Sequence, residues 1–433
     1  MSRRNNDVKW DKLDNTAHLF PVIAGESMSN VYRISVTLRE RIRPGYLQEA
    51  LDKVLPWFDV FRVRLRKGVF WYYFEDNKKP TPRVVEERTY PNQYISPNKN
   101  RNYLFRVSYY RNRINLEVFH VLTDGMGGIN FLRELTYQYL RIAHPELLEQ
   151  VPDALCSDTS LNKEDSYIKN YKKSHAKGYK TKRAFLIKGE KLKPMELGII
   201  HGYLPVEQLK AVSKKYGLSI NEYLVSVFIW SVYQECLNGG TSKKPISVAV
   251  PVNLRPYYNS ITTKNFFVMV SAVFEAVKET YTFEEVAAIT AESLRSQINP
   301  EHLEHLFAYN VSNEKNLILR AVPLFVKRIA MKSVYQKSAL ANSTTITNIG
   351  NIDIREEYRP YIERFHAFLS MSKGQNIKGC ICSYNGSLVF TFSSILEDVS
   401  IQRAFFSKLA SEGIEVEIET NDVYNEKRKR SGK

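Results

Sequence analysis

Leu116–Leu132 reads LEVFHVLTDGMGGINFL. An apolar, strand-like run leads into His120, three residues separate it from Asp124, and Gly125 follows. Apolar residues at helical spacing begin near Ile129, so this H-x-x-x-D-G segment sits at a strand-to-helix turn. A histidine at a strand end beside a tight turn is held by backbone on one side and can face a cleft on the other. Proton abstraction needs that fixed geometry and a pKa near neutrality, which makes His120 the candidate general base.

Working outward, Tyr103–Tyr110 and Ile114–His120 read as a hairpin, and a helix is expected from about Ile129 to Ile142. Pro44–Val54 places Leu47, Ala50, Leu51 and Val54 on one helical face. Residues 61–65 (FRVRL) and 69–74 (VFWYYF) flank Lys67-Gly68 and read as a second hairpin. Residues 151–184 lose periodicity and turn polar, which suggests an inter-domain connection. Beyond it, helices are expected at Pro205–Tyr216, Ser219–Cys236, Thr282–Ile298 and Pro323–Ser338. Ser219 and Glu222 form a capping-box signature. Strands are expected at Ile246–Val252, Phe266–Phe274, Thr344–Ile349, Arg364–Met371, Gly379–Ser383 and Ser387–Phe392. This alternation is that of a mixed α/β protein.

With 433 residues the chain exceeds one compact core. The first fifteen residues lack the apolar region of a secretory signal. The longest uncharged apolar run, Tyr223–Tyr233, is too short to span a bilayer and reads as a buried helix. The four cysteines, Cys156, Cys236, Cys380 and Cys382, suit neither zinc nor a disulfide framework, so reduced thiols in a cytoplasmic protein are expected. The net charge of +16 invites an anionic partner or a solvated surface. Lys169–Lys193 carries ten basic residues against one acid, Glu190, and is read as a solvated connection in preference to a phosphate site. Glu301–His305 is read as a wet helix face, not a metal site. Pro323–Ser338 sets Leu324, Phe325, Ile329 and Val334 against Lys327, Arg328, Lys332 and Lys337. An amphipathic helix packing on the core is the preferred reading, over contact with a membrane or an acidic carrier protein.

Four segments together resemble the HxxxD acyltransferase superfamily of alcohol acetyltransferases, condensation domains and chloramphenicol acetyltransferase-like enzymes. They are residues 13–24 with 46–65, FHVLTDGMGG (119–128), VAVPVNLRPYYN (248–259) with KNFFVMVS (264–271), and STTITNIGNIDI (343–354). The resemblance implies an α/β fold of two chloramphenicol-acetyltransferase-like lobes forming a pseudo-dimer, with the active site in a tunnel between them. The lobes would comprise residues 1–155 and 185–433, joined by a linker at 156–184. It further implies that His120 is the base and that Asp124 pairs with Arg255 to fix the loop. Gly125 would let backbone approach the reacting carbonyl and donate its N–H to the oxyanion, while Gly127 and Gly128 serve the turn. Ser343, Thr344 and Thr345 offer hydroxyls as further oxyanion candidates, and Asn348 and Gly350 would shape the tunnel wall, with Thr347 in place of a serine. Two departures stand out. Phe119 replaces the first of the paired histidines of condensation domains, and no D-F-G-W-G motif occurs, Lys264–Phe267 being the nearest equivalent.

The implied activity is transfer of an acyl group, acetyl in the first instance, from coenzyme A to an alcohol or amine acceptor by a monomer. Acyl-CoA is then a donor substrate; no permanently bound cofactor and no metal are expected. A condensation-like enzyme with a carrier-protein-bound donor is the alternative, followed by a nonenzymatic binding protein on the same scaffold. Nucleic-acid binding rests on charge alone and is not expected.

Overall fold

The computed structural model describes residues 10–149, 155–156, 159–172, 182–316 and 320–424. In chain order the strands are β1 (Trp10–Lys12), β2 (Val31–Leu38), β3 (Val63–Lys67), β4 (Tyr72–Asp76), β5 (Val85–Glu86), β6 (Phe105–Tyr110) and β7 (Arg113–Phe119). The second half adds β8 (Gly198–Pro205), β9 (Ile246–Asn253), β10 (Phe267–Phe274), β11 (Thr344–Asn351), β12 (Ile362–Leu369), β13 (Ile377–Tyr384), β14 (Ser387–Ser394) and β15 (Glu417–Thr420). They form a five-stranded sheet in the order β12-β2-β7-β6-β5, a seven-stranded sheet β10-β9-β11-β13-β14-β8-β15, and a small sheet β1-β4-β3.

Each large sheet buries its own helices. The helices Pro44–Val54 and Gly125–Ala143 join the core of the five-stranded sheet through Leu47, Leu51, Phe131 and Leu135. The helix Ile220–Leu237, buried through Leu224, Phe228 and Val232, anchors the core of the seven-stranded sheet and starts with the expected capping box. Strand β13 serves both cores. Ile377 and Ile381 face one cluster, and Cys380, Cys382 and Tyr384 face the other, as the period of two of a strand requires. Strand β12 comes from the second half of the chain yet pairs antiparallel with β2, Phe365 opposite Val36, and completes the first sheet.

The connection near residues 156–184 lies partly outside the described residues, as does much of the Lys169–Lys193 run. Its described portion is packed, not loose. The buried Tyr167 hydroxyl is 2.8 Å from Thr16 Oγ1, donates to Phe267 O at 2.5 Å and accepts from Phe267 N–H at 3.0 Å. Thr263 N–H donates to Asn162 O at 2.6 Å.

Three local expectations are corrected. The helix expected from Ile129 begins at Gly125, because the Asp124 side chain caps it and turns the glycine-rich segment into its first turn. In the β3–β4 hairpin, Val69–Trp71 lie in an exposed tip, not in a strand; Gly68 N–H closes the turn on Trp71 O at 2.9 Å. The helix Leu324–Ser338 packs on the core through Leu324, Met331 and Tyr335, and not through most of the apolar residues expected to do so. Only Leu324 is buried, while Phe325, Ile329 and Val334 face outward.

Candidate active site

The end of β7 sets His120. Val31 pairs with Phe119, and the next backbone bond runs from His120 N–H to Asn30 O at 3.0 Å. Three buried residues later, Asp124 Oδ1 accepts from Met126 N–H and Gly127 N–H at 3.2 and 3.4 Å. Arg255 grips the same carboxylate with two nitrogens, Nη1 to Oδ2 at 2.9 Å and Nη2 to Oδ1 at 3.0 Å. Phe266 N–H adds a fifth donor at 3.0 Å. A buried carboxylate so occupied is held by a bidentate charge-assisted pair and has no free oxygen for a substrate. Arg255 spends its remaining donors on Asn253 Oδ1 at 3.2 Å, Thr262 O at 2.9 Å and Lys264 O at 2.7 Å, which draws the 255–265 loop against the H-x-x-x-D-G turn.

That loop delivers Asn265 to the imidazole. Asn265 Nδ2 donates to Asp14 Oδ2 at 2.8 Å and approaches His120 O at 3.4 Å, and its backbone N–H donates to the same Asp14 oxygen at 3.3 Å. The amide nitrogen is thereby committed, so Asn265 Oδ1 faces His120 Nδ1 at 3.1 Å. An amide oxygen only accepts, so Nδ1 carries the proton and Nε2 keeps its lone pair. Asp14 is fully buried and accepts also from Ala17 N–H at 2.8 Å. Burial raises its carboxyl to about 7, against the opposing bonds from Asn265 and Ala17.

Aromatic rings fix the imidazole plane. Phe20 stacks on it at 4.6 Å, Tyr32 meets it edge-on at 5.1 Å, and Phe267 lies at 5.8 Å. Burial pulls the His120 pKa below its ordinary 6.5, opposed by the Asp124 charge and the bond to Asn265. The nearby Lys378 pulls in the same direction as burial. Lys378 stands on the β13 face that carries Cys380 and Cys382. Its buried amine donates to Ser372 Oγ at 2.6 Å, and burial alone brings it down to about 7.

The three glycines do different work. A Cβ at Gly127 would lie 1.9 Å from Thr123 Oγ1 and 2.4 Å from Thr263 O, and one at Gly128 would lie 2.7 Å from Tyr32 Oη. Both therefore permit close packing of the helix, beyond the turn role expected of them. At Gly125 a Cβ would only touch Ile349 at 3.5 Å, and no left-handed backbone is needed. Among the described residues Gly125 N–H, in the first turn of the helix, has no hydrogen-bond acceptor.

The structure thus gathers His120, Asp124, Gly125 and Arg255, with Ile349 of β11 alongside. Ser343 is committed to the sheet, its N–H donating to Ser247 O at 2.7 Å and its Oγ accepting from Ser247 N–H at 3.1 Å. Thr344 Oγ1 donates to Ile377 O at 2.6 Å, and Thr345 Oγ1 donates to Gln375 Oε1 at 2.9 Å. Asn348 is exposed, reaches Asn221 at 3.4 Å and accepts from Gly350 N–H at 2.8 Å. Sequence reading missed Asn265, Asp14 and Lys378 as site residues, although Lys264–Phe267 and the segment holding Asp14 were among those singled out. A cleft lined by Trp10, Asp59, Arg62 and Lys264 does not include His120. Among the described residues no cluster of His, Cys, Asp and Glu suits a metal ion, all four cysteines are free, and no helix is long and apolar enough to cross a membrane.

No protein-family model matches the chain, and no curated protein sequence matches it. Solved structures do. Polyketide synthase associated protein 5 from Mycobacterium tuberculosis is 16% identical with a TM-score of 0.60, over 92% of this chain and 96% of that one. F. graminearum TRI101, complexed with coenzyme A and T-2 mycotoxin, is 13% identical with a TM-score of 0.60, over 91% and 96%. The condensation domain of the Monacolin K polyketide synthase MokA is 12% identical with a TM-score of 0.56, over 94% and 97%. The fold is the chloramphenicol-acetyltransferase-like one. At these identities the likeness is one of fold, and it covers both α/β lobes of this pseudo-dimeric architecture.

Proposed function

We propose that the protein is an acyltransferase that moves an acyl group from a coenzyme A thioester to an alcohol or amine, with His120 as general base. The observation that carries this reading is the Asp14–Asn265–His120 chain, which protonates Nδ1 and frees Nε2. On this reading Nε2 takes the proton of the acceptor O–H or N–H as that atom attacks the thioester carbonyl carbon. The carbonyl oxygen becomes an oxyanion, and Gly125 N–H, in the first turn of a nineteen-residue helix, is suited to receive it. Collapse breaks the C–S bond, and the imidazolium returns its proton to the departing thiolate. Asp124 takes no proton; with Arg255 it holds the turn.

The donor assignment draws on the fold likeness to TRI101, which was solved with coenzyme A. The substrates would meet between lobes within residues 1–155 and 185–433, joined by 156–184, in a cytoplasmic monomer whose thiols stay reduced. A second reading, a donor carried on the arm of a separate carrier protein, is favoured by the likeness to the MokA condensation domain. The test is thiol release across a panel of alcohols and amines, with acetyl-CoA in one series and an acetylated carrier protein in the other. Acceptor-dependent release from acetyl-CoA supports the first reading. Release from the carrier alone moves the assignment to the second.

A further inference from the structure

The helix Leu324–Ser338 and the β3–β4 hairpin tip present one apolar surface. Leu324 N–H donates to Val69 O at 2.8 Å, and Lys327 Nζ donates to Phe70 O at 3.0 Å, which locks the helix start onto the tip. Around this junction Val69 and Ile329 are each 71% exposed and Phe325 65%, with Phe70, Trp71 and Val326 also exposed. Exposed apolar residues are ordinary when scattered; six on two joined elements form a contact face.

The charge around the face has one sign. Residues 320–338 contain Arg320, Lys327, Arg328, Lys332 and Lys337 and no acid. Among the described residues, Lys67, Arg328, Lys332 and Lys337 have no carboxylate within ion-pair distance, whereas Arg64 and Arg66 are both paired with Glu75. The inner side of the helix is packed. Met331 and Tyr335 lie against the first core, and the Tyr335 hydroxyl is 3.1 Å from Met28 Sδ. The helix also rests on the short helix Phe20–Ile23, whose Phe20 stacks on His120.

We propose that Val69–Trp71 and the outer face of Leu324–Ser338 dock the protein peripherally on an anionic membrane surface. Apolar residues that would enter the headgroup–acyl boundary, ringed by unpaired cations, are the make-up of an interfacial helix. Tryptophan is enriched at that depth. A protein partner fits less well, because lysine is depleted at protein interfaces and three of the four unpaired cations are lysines. Docking does not depend on the acyl-transfer reading. If that reading holds, the patch lies one helix away from the base, with Phe20 between them.

The test is co-sedimentation of the full chain with vesicles of phosphatidylcholine alone and of phosphatidylcholine with phosphatidylglycerol. Binding to the anionic vesicles, weakened by salt, is expected. The pair Phe325→Ser/Ile329→Ser should lower it by about tenfold or more, and so should Lys332→Glu/Lys337→Glu, with thermal melting unchanged in both. Exposed positions keep these variants folded. No binding to anionic vesicles by the wild type, or equal binding by both variants, overturns the proposal. Concentration-dependent dimerisation or binding to an acidic acyl-carrier protein, abolished by the same variants in the absence of vesicle binding, would instead assign the face to a second copy or to the carrier.

Discussion

At the scale of single residues, base chemistry at His120 depends on which of its ring nitrogens carries the proton. Asp14 and Asn265 decide it, and both lie far from His120 in sequence, so the histidine was legible in its motif while its orienting partners were not. They become visible only when the 255–265 loop is folded over the turn. The pH dependence should expose both ionisations. Burial keeps His120 neutral to a pH below 6.5, so the base itself is lost only below that value. Asp14 protonates as pH falls through about 7, which weakens its hold on Asn265. A profile of kcat/KM should therefore fall on the acid side in two steps. Asp14→Asn should remove the upper step and leave the lower one. Asn265→Ala deletes one orienting hydrogen bond of about 1.5 kcal/mol, and kcat should drop on the order of tenfold with KM little changed. An equal rise in KM with kcat intact would place Asn265 in substrate binding instead.

At the scale of elements, period and capping chemistry made most of the fold readable. The helix Pro44–Val54 and the capped helix at Ile220 stand where their apolar faces and the Ser219/Glu222 box put them. The Asn385-Gly386 turn has both residues in the left-handed region, φ 47° and 77°, as a two-residue hairpin demands. The motif helix was read four residues late because a glycine-rich segment looks like a turn until its cap is seen. Two glycines there are required by packing and one is not, which gives a paired prediction. Gly127→Ala should destabilise the protein by about 1–3 kcal/mol in denaturant titration, since its Cβ collides with Thr123 and Thr263. Gly125→Ala should leave stability within about 1 kcal/mol, since its Cβ would only touch Ile349 at 3.5 Å, yet lower kcat if the Gly125 N–H receives the oxyanion as proposed. The helix Leu324–Ser338 misled periodicity for another reason. An amphipathic pattern states that a face seeks apolar contact, not that the contact belongs to the same chain. The helix Ser400–Ser411 was legible from Ile401, Phe405 and Leu409, four residues apart and buried, and went unread.

At the scale of the molecule, the two halves are tied together at the site itself. Asp124 and Arg255 are 131 positions apart, and their ion pair joins the motif turn of the first half to the β9–β10 connection of the second. Strand β12 makes a second tie by crossing to the first sheet, a long-range pairing that no local pattern announces. Arg255→Met would leave the Asp124 carboxylate buried with backbone donors alone. Loss of about 3–5 kcal/mol of stability is expected by denaturant or thermal unfolding, with a larger loss of activity than Asn265→Ala. An Arg255→Met protein as stable as wild type would contradict a structural role for the pair.

Acceptor-dependent thiol release from acetyl-CoA by the wild type and by His120→Ala under identical conditions decides whether His120 is the base. A positioned base contributes roughly 10²- to 10⁴-fold, so release should fall by about that factor in the variant while its melting temperature holds. Equal release by the two proteins would contradict His120 as the base.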